Sequence, residues 1–517
     1  MADQHQKRIA IIGAGISGLL ACKYALSKGF QPTVFESQNG VGGVWRKTLS
    51  TTKLQNSKPT FQFSDFPWPD SVTVEFPTHN QVVDYLRAYA DRFQLAQHVK
   101  FNAKVVGINY RGVAEEEMEG WHLWGGNGEG FGSRGARWEV EVAGAGGCSP
   151  ESEVYEADFV VLCLGKFSDV PNFPQFSSGQ GPEAFPGKVI HSMEYSDLEA
   201  EEARNLVKGK RVTVVGFRKT ALDIAMECSE ANGKENPCRV MYRTERWSFP
   251  DWFPPLPYLC FTRFAELLIH KPGEGVFLSL LATLLSPIRW AVSRLVESVV
   301  KSKHPLAKHG MIPKQSFLQD FSTCLLAKLP EKFYDRVEEG SIVLTKARNF
   351  TFCKQGIKAE DDQPPLETDL VILATGFKGG KKVKDIFGSK FFRRSETGGL
   401  PLYRQCIHPR IPQLAVLGYS ESLSNLFTSE MRSRWLMELL DGKFKLPAIK
   451  EMEDDAAKWD GYFKCYGDEY SDRASISAIH IWHNDQLCKD MGWKPRRKHG
   501  LWAELFEPYG PTDYVCP

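Results

Sequence analysis

Arg8-Ile9-Ala10-Ile11-Ile12-Gly13-Ala14-Gly15-Ile16-Ser17-Gly18, at the head of the chain, is the stretch whose reading decides the fold. A short β-branched run, Arg8 to Ile12, gives way to three glycines; Leu19 to Leu26 then reads as a helix and Thr33 to Phe35 as a second strand. Glycines punctuate loops everywhere, but here G-x-G-x-x-G follows a strand and opens a helix, the context of a dinucleotide-binding β-α-β unit. Gly13 permits the tight turn, Gly15 lets a pyrophosphate reach the backbone, and Gly18 lets helix and strand pack closely. The helix N-terminus, with Ala14, Ile16 and Ser17 around it, supplies N–H donors to the phosphates. Glu36 closes the second strand, where a carboxylate accepts hydrogen bonds from an adenosine ribose. It also repels a 2′-phosphate, so this unit is expected to hold FAD or NAD.

A second unit begins near Lys210. Arg211 to Val215 reads as a strand, Gly216-Phe217-Arg218-Lys219-Thr220-Ala221 as the turn, Leu222 to Ser229 as a helix and Arg239 to Tyr242 as the next strand. That strand ends in Arg243-Thr244, a cation and a hydroxyl where the first unit has an acid, which suits the 2′-phosphate of NADP(H). A surface pairing of Arg243 with Glu245 is the alternative. Arg218 replaces the middle glycine, so either its guanidinium reaches the phosphates or the added Cβ weakens nucleotide binding.

Between the units, Val99 to Tyr110, Arg137 to Ala143 and Asp158 to Leu164 read as a meander, and the Gly-rich Gly125 to Gly135 as a flexible hairpin tip. Ser341 to Leu344, Asn349 to Cys353 and Asp369 to Ala374 look like a return to the first domain. The expected fold is α/β, with two Rossmann-like domains, the NADP domain inserted in the FAD domain, and a helical C-terminal tail. The expected boundaries are 1–172 and 336–440 for FAD, 173–335 for NADP, and 441–517 for a polar helical tail.

At 517 residues the chain exceeds what one core usually serves. Lys plus Arg total 64 against 63 Asp plus Glu, without the cationic excess of a nucleic-acid binder. The short basic clusters, Lys378 to Lys384 and Arg496 to Lys498, read as solvated surface. Twelve cysteines show no C-x-x-C pair and no Cys/His ligand spacing, so neither a metal site nor a disulfide framework is expected, and a cytoplasmic location fits. The polar Met1 to Arg8 lacks the layout of a signal peptide. Val276 to Ile288 is almost wholly apolar and is followed by Trp290 to Val300, with Arg289 and Arg294 interspersed. Pro287 and the arginines interrupt it before the roughly 20 residues a spanning helix needs. Two buried or amphipathic helices are expected; peripheral membrane contact through 276–300 is the alternative.

With these units in place, the chain resembles the flavin-containing monooxygenases, class B flavoproteins, and most closely their plant-type branch. The resemblance is carried by Gly13 to Gly18, Gly40 to Arg46 (GVGGVWR), Phe63 to Pro69 (FSDFPWP), Phe185 to Tyr195 (FPGKVIHSMEY) and Leu373 to Phe377 (LATGF). Phe185, Gly187, His191 and Tyr195 satisfy the family pattern F-x-G-x-x-x-H-x-x-x-Y at every fixed position. Baeyer-Villiger enzymes prefer Trp at the last of these.

The resemblance implies that NADPH reduces FAD, that O2 adds to the reduced flavin to give a C4a-hydroperoxide, and that one oxygen atom passes to a soft nucleophile. N-hydroxylation of an amine or amino acid is the main expectation. S-oxygenation of a thioether, Baeyer-Villiger oxidation, NADPH oxidase activity or a catalytically weakened regulatory protein are alternatives. It further implies an oxygen-site role for Asn56, FAD contacts for Gly43, Val44 and Trp45, a linking or gating role for His191, and a domain-linking role for Thr375 and Gly376. The apolar insertion Trp247 to Leu329 is expected to shape substrate access. A peripheral site on the endoplasmic reticulum is the alternative to the cytoplasm.

Overall fold

The opening strand Arg8–Ile12 is buried at every position after Arg8, as a strand covered on both faces must be. It pairs in parallel with Gln31–Phe35 on one side and Phe159–Leu162 on the other, and Val99–Lys100 and Leu414–Val416 complete a five-stranded sheet. A second five-stranded sheet repeats the plan, running Ile342–Lys346, Cys238–Tyr242, Val212–Val215, Leu370–Leu373, Lys188–His191. The structure is a computed structural model that describes residues 7–132, 135–144, 152–249, 258–323, 325–326, 328–359, 364–393, 400–466, 475–477 and 479–515.

The α/β architecture with two Rossmann-like sheets is thus as expected, with several corrections in the details. Phe159–Leu162 is not the last strand of the meander. It is continuously apolar because it lies inside the first sheet, and Glu153–Ala157 takes the meander place beside Val105–Arg111 and Arg137–Val142. The boundary at 336 also fails: Ile342–Lys346 and Leu370–Leu373 pair with the second sheet, so the chain returns to the first only after Leu373. A buried parallel strand looks the same in either sheet; the crossover decides where it goes.

The segment from 441 is not a polar appendage. Helix Asn425–Leu440 is buried at 14 of its 16 positions, and the tail helix His480–Asp490 packs against it. Polar tail residues are consumed in partly or fully buried pairs: Arg404 with Asp490 at 2.8 Å, Trp435 Nε1 donating to Asp490 at 3.0 Å, and Glu266 accepting from the N–H groups of Ile481 and Trp482. The Gly-rich loop is likewise seated rather than free. Leu446 N donates to Gly128 O at 2.8 Å, a Cβ on Gly130 would stand 2.6 Å from Leu440 Cδ2, and Trp124 is buried; residues 133–134 lie outside the described residues.

Of the two buried or amphipathic helices expected, Val276–Leu284 is not buried: Ala282 is its one buried residue. Val276, Phe277 and Leu284 are 79%, 76% and 75% exposed, and Trp290 on the next helix is 63% exposed. Among the described residues no single helix is long and apolar enough to cross a membrane; this pair, bent by 50°, meets the length and composition only when taken together.

Candidate functional site

In the first unit, Gly13 N donates to Phe35 O at 2.8 Å, which bends the backbone to φ +107°. A Cβ there would stand 2.5 Å from Cys163 O, and one on Gly18 would stand 1.8 Å from Gly13 O, so side chains are barred at both. Gly15 caps the helix Ile16–Ser27 with an extended backbone, and opposite it Gly42 and Gly43 turn at φ +134° and +57°. Glu36 is 5% exposed; its Oε2 accepts from Ala14 N at 2.7 Å and its Oε1 from Gln38 N at 2.8 Å. The carboxylate therefore braces the turn and retains lone pairs on the cavity side. Val44 and Trp45 follow, with Trp45 edge-on to Phe61 at 5.8 Å.

The second unit repeats the geometry. Gly216 N donates to Met241 O at 2.8 Å, φ is +138°, and a Cβ would stand 2.5 Å from Ala374 O. Arg218, at the middle-glycine place, caps helix Lys219–Asn232 with φ −109° and ψ 177°, a conformation open to any residue. Ala221 stands where Gly18 does and is fully buried. One offset was hidden in the sequence: by hydrogen-bond register Tyr242 is the counterpart of Glu36, and Arg243 comes one residue later. Tyr242 packs on Phe217 at 5.4 Å, and Glu245 is ion-paired with Lys346.

Both turns open onto one cavity. Gly13, Gly15, Ile16, Ser17, Glu36, Gly43, Val44, Trp45 and Asn56 line it from the first unit; residues 216–221, Arg243 and Thr244 line it from the second; Thr375 and Gly376 line it from the returning crossover. Ala14 and Gly18 lie behind its wall. Phe185, Gly187, His191 and Tyr195 do not line it either. A Cβ on Gly187 would stand 2.2 Å from Phe185 Cζ, which explains that pair. His191 is fully buried, its Nδ1 accepts from Met193 N, and its ring lies 5.5 Å from Phe173 and 5.3 Å from Phe377, one on each crossover. Burial pulls its pKa down, so it is neutral at pH 7. Tyr195 Oη donates to Glu227, whose pKa burial raises.

The crossovers run side by side: Pro171 bridges Phe377, Asn172 N donates to Gly376 O at 2.8 Å, and Thr375 Oγ1 donates to Asn172 O. Asn56 Nδ2 donates to Leu423 O, fixing a loop, 418–425, that sequence reasoning passed over. Gly418 marks it, at φ +76° with its Cβ position 2.4 Å from Ser17 Oγ. Also missed were Arg348 and Asn349, cavity-lining residues just beyond the strand paired with Cys238–Tyr242, and the pair Lys166 and Glu421. The Lys-Ala-Arg-Asn run ending a strand was the available signal for the first two; none existed for the second pair.

Two helix N-termini, a buried acid at the end of one strand and a cation-rich second wall line this cavity, a combination suited to dinucleotides. The flavin-binding monooxygenase-like family model matches residues 6–502. The chain belongs to that family. It is 41% identical to the probable flavin-containing monooxygenase 1 of Arabidopsis thaliana, over 99% of this chain and 98% of the relative. Two solved structures share its fold at 16% identity. One is OTEMO complexed with FAD and NADP (TM-score 0.64; 93% of this chain, 98% of that one), the other the S-allyl-L-cysteine S-oxygenase of Allium sativum (TM-score 0.56; 96% and 90%). As a flavin-binding monooxygenase the chain uses FAD, NADPH and O2 and transfers oxygen to a nucleophilic substrate.

Proposed function

We propose that the first unit holds FAD through Gly13 to Gly18, Glu36 and the Gly43–Trp45 turn, and that the second holds NADPH through residues 216–221, Arg243 and Thr244. Bound FAD would supply hydride acceptance and oxygen activation. The protein's part is to bind, orient and keep water out. Gly13 and Gly18 let the backbone N–H groups close on a pyrophosphate, and Arg243 presents its guanidinium where a 2′-phosphate would lie. Asn56 holds Leu423 of the loop beside the cavity, while neutral His191 steadies the two crossovers without moving a proton. The observation that carries this reading is that both glycine turns open on one cavity.

For the substrate, transfer to a soft nucleophile at large is better supported than the narrower expectation of N-hydroxylation. The S-oxygenase among the fold relatives and the N-oxide-forming dimethylaniline monooxygenase 2 of Rattus norvegicus, 26% identical, speak for sulfur and tertiary nitrogen. We therefore place S-oxygenation of a thioether first. The test is product mass after incubating the purified protein with NADPH, O2 and, in separate arms, a methyl thioether, a tertiary amine and a primary amine. An oxygen-added thioether as the main product supports the reading; oxygen on the primary amine alone returns it to N-hydroxylation.

For location, the cytoplasm is the first reading and a peripheral site on the endoplasmic reticulum the alternative; peripheral membrane contact is supported by the exposed Phe277, Leu280 and Leu284 and by Arg289, Arg294, Lys301 and Lys303 along the next helix. Flotation with anionic vesicles tests it: Phe277→Glu with Leu284→Glu should leave the protein at the bottom of the gradient, and unchanged flotation contradicts it.

A further inference from the structure

The cavity wall contains a largely buried ion pair outside both glycine turns. Lys166, on the outgoing crossover, has a side chain 9% exposed; its ammonium stands 3.7 Å from Glu421 Oε1 and 5.1 Å from the centroid of the Tyr419 ring. Its stem lies across the returning crossover, where a Cβ on Gly379 would come within 2.7 Å of Lys166 Cγ. The neighbouring Gly380 meets Tyr419 Oη in the same way, its Cβ position being 3.1 Å distant. The helix Gly379–Asp385 in turn sends Lys382 back to Leu164 O at 2.6 Å and into an ion pair with Asp169. One side chain thus joins the outgoing crossover, the returning crossover and the loop that Asn56 fastens at Leu423.

A buried Lys–Glu pair is a weak stabiliser, because desolvation of two charges offsets their attraction and apolar side chains would fill the same space. What it supplies is direction. Among the described residues the backbone passes between the two five-stranded sheets along these two crossovers, so a change in the placement of the NADPH unit bears on them directly, beside side-chain contacts such as Thr51 with Glu227.

We propose that Lys166 and Glu421 form a positioning strut that couples the hinge between the nucleotide units to the flavin-side loop 418–425. The inference rests on the FAD and NADPH assignment above. NADP+ binding in the second unit then reaches the flavin environment through the strut.

The test is the change in flavin absorbance when NADP+ is titrated into the oxidised, FAD-loaded protein. Lys166→Met and Glu421→Gln are each expected to bind NADP+ within about threefold of wild type while the spectral change shrinks about fivefold; exchanging the two charges, Lys166→Glu with Glu421→Lys, is expected to recover about half of it. A full-amplitude spectral change in Lys166→Met overturns the strut. If that variant loses FAD, the near-isosteric Glu421→Gln decides alone, and full amplitude there overturns the strut equally. Wild-type flavin that NADPH fails to reduce overturns the underlying assignment, and the strut with it.

Discussion

The two dinucleotide units share a plan and differ where the chemistry differs. Gly13 and Gly216 sit at φ +107° and +138°, each with its Cβ position 2.5 Å from a carbonyl of the neighbouring strand end, so neither place admits another residue. The other fingerprint positions follow different rules. Gly15 and Arg218 both cap a helix in extended backbone, which any side chain tolerates, so the choice there concerns what faces the cavity. Gly18 backs onto Gly13 O at a distance that excludes a methyl group, whereas Ala221 carries one in the same place. The fingerprint therefore mixes one conformational demand with two packing or ligand demands, and only the first is shared by the two units.

This comparison can be broken most severely at Gly18. Gly18→Ala forces Gly13 O to move and is expected to cost about 100-fold or more in FAD affinity, read as loss of flavin absorbance relative to protein. Ala221→Gly should change NADP+ affinity by less than about threefold. Arg243→Gln is next: losing a charge-assisted hydrogen bond of about 1.5–3 kcal/mol lowers the NADPH over NADH preference about 10- to 100-fold, measured as the ratio of reduction rates. An unchanged ratio would shift the assignment toward Arg348. Arg218→Gly then decides how the imperfect turn works. A guanidinium that compensates for the missing glycine predicts about tenfold weaker NADP+ binding by titration, and tighter binding would mean that the Cβ is an obstacle.

A separate effect, on acid stability, distinguishes the tail from both units. Burial lowers His480 to about 3 and His483 well below the ordinary histidine range. Below about pH 6.5 the unfolded chain binds protons that these buried rings refuse, so stability is full above that pH and declines as pH falls. The slope is at most about 1.4 kcal/mol per pH unit for each ring. Thermal midpoints from pH 7 to 4 check this, and His480→Phe should flatten the curve.

How much of this the sequence disclosed depended on the range of the interaction. The turn at Gly13 to Gly18 and the strand ending in Glu36 are local, and both stand where they were read. The destination of Ile342–Lys346 was not legible, because any buried parallel strand looks alike until its crossover is known. The counterpart of Glu36 was misjudged by one residue, since Tyr242 and Arg243 are told apart only by the register of Gly216 N with Met241 O. Tail polarity misled because Asp490 and Arg404 are distant in sequence and paired in space, and the apolar run at Val276 misled because exposure is not written in composition. Lys166 and Glu421 lay 255 residues apart with no motif around them.

The central claim, two dinucleotides with separate duties meeting in one cavity, is tested most directly by anaerobic reduction of the purified protein. NADPH should bleach the flavin absorbance stoichiometrically, and NADH should do so at least about tenfold more slowly. Flavin that stays oxidised with NADPH, or that both nucleotides reduce at one rate, would contradict the account.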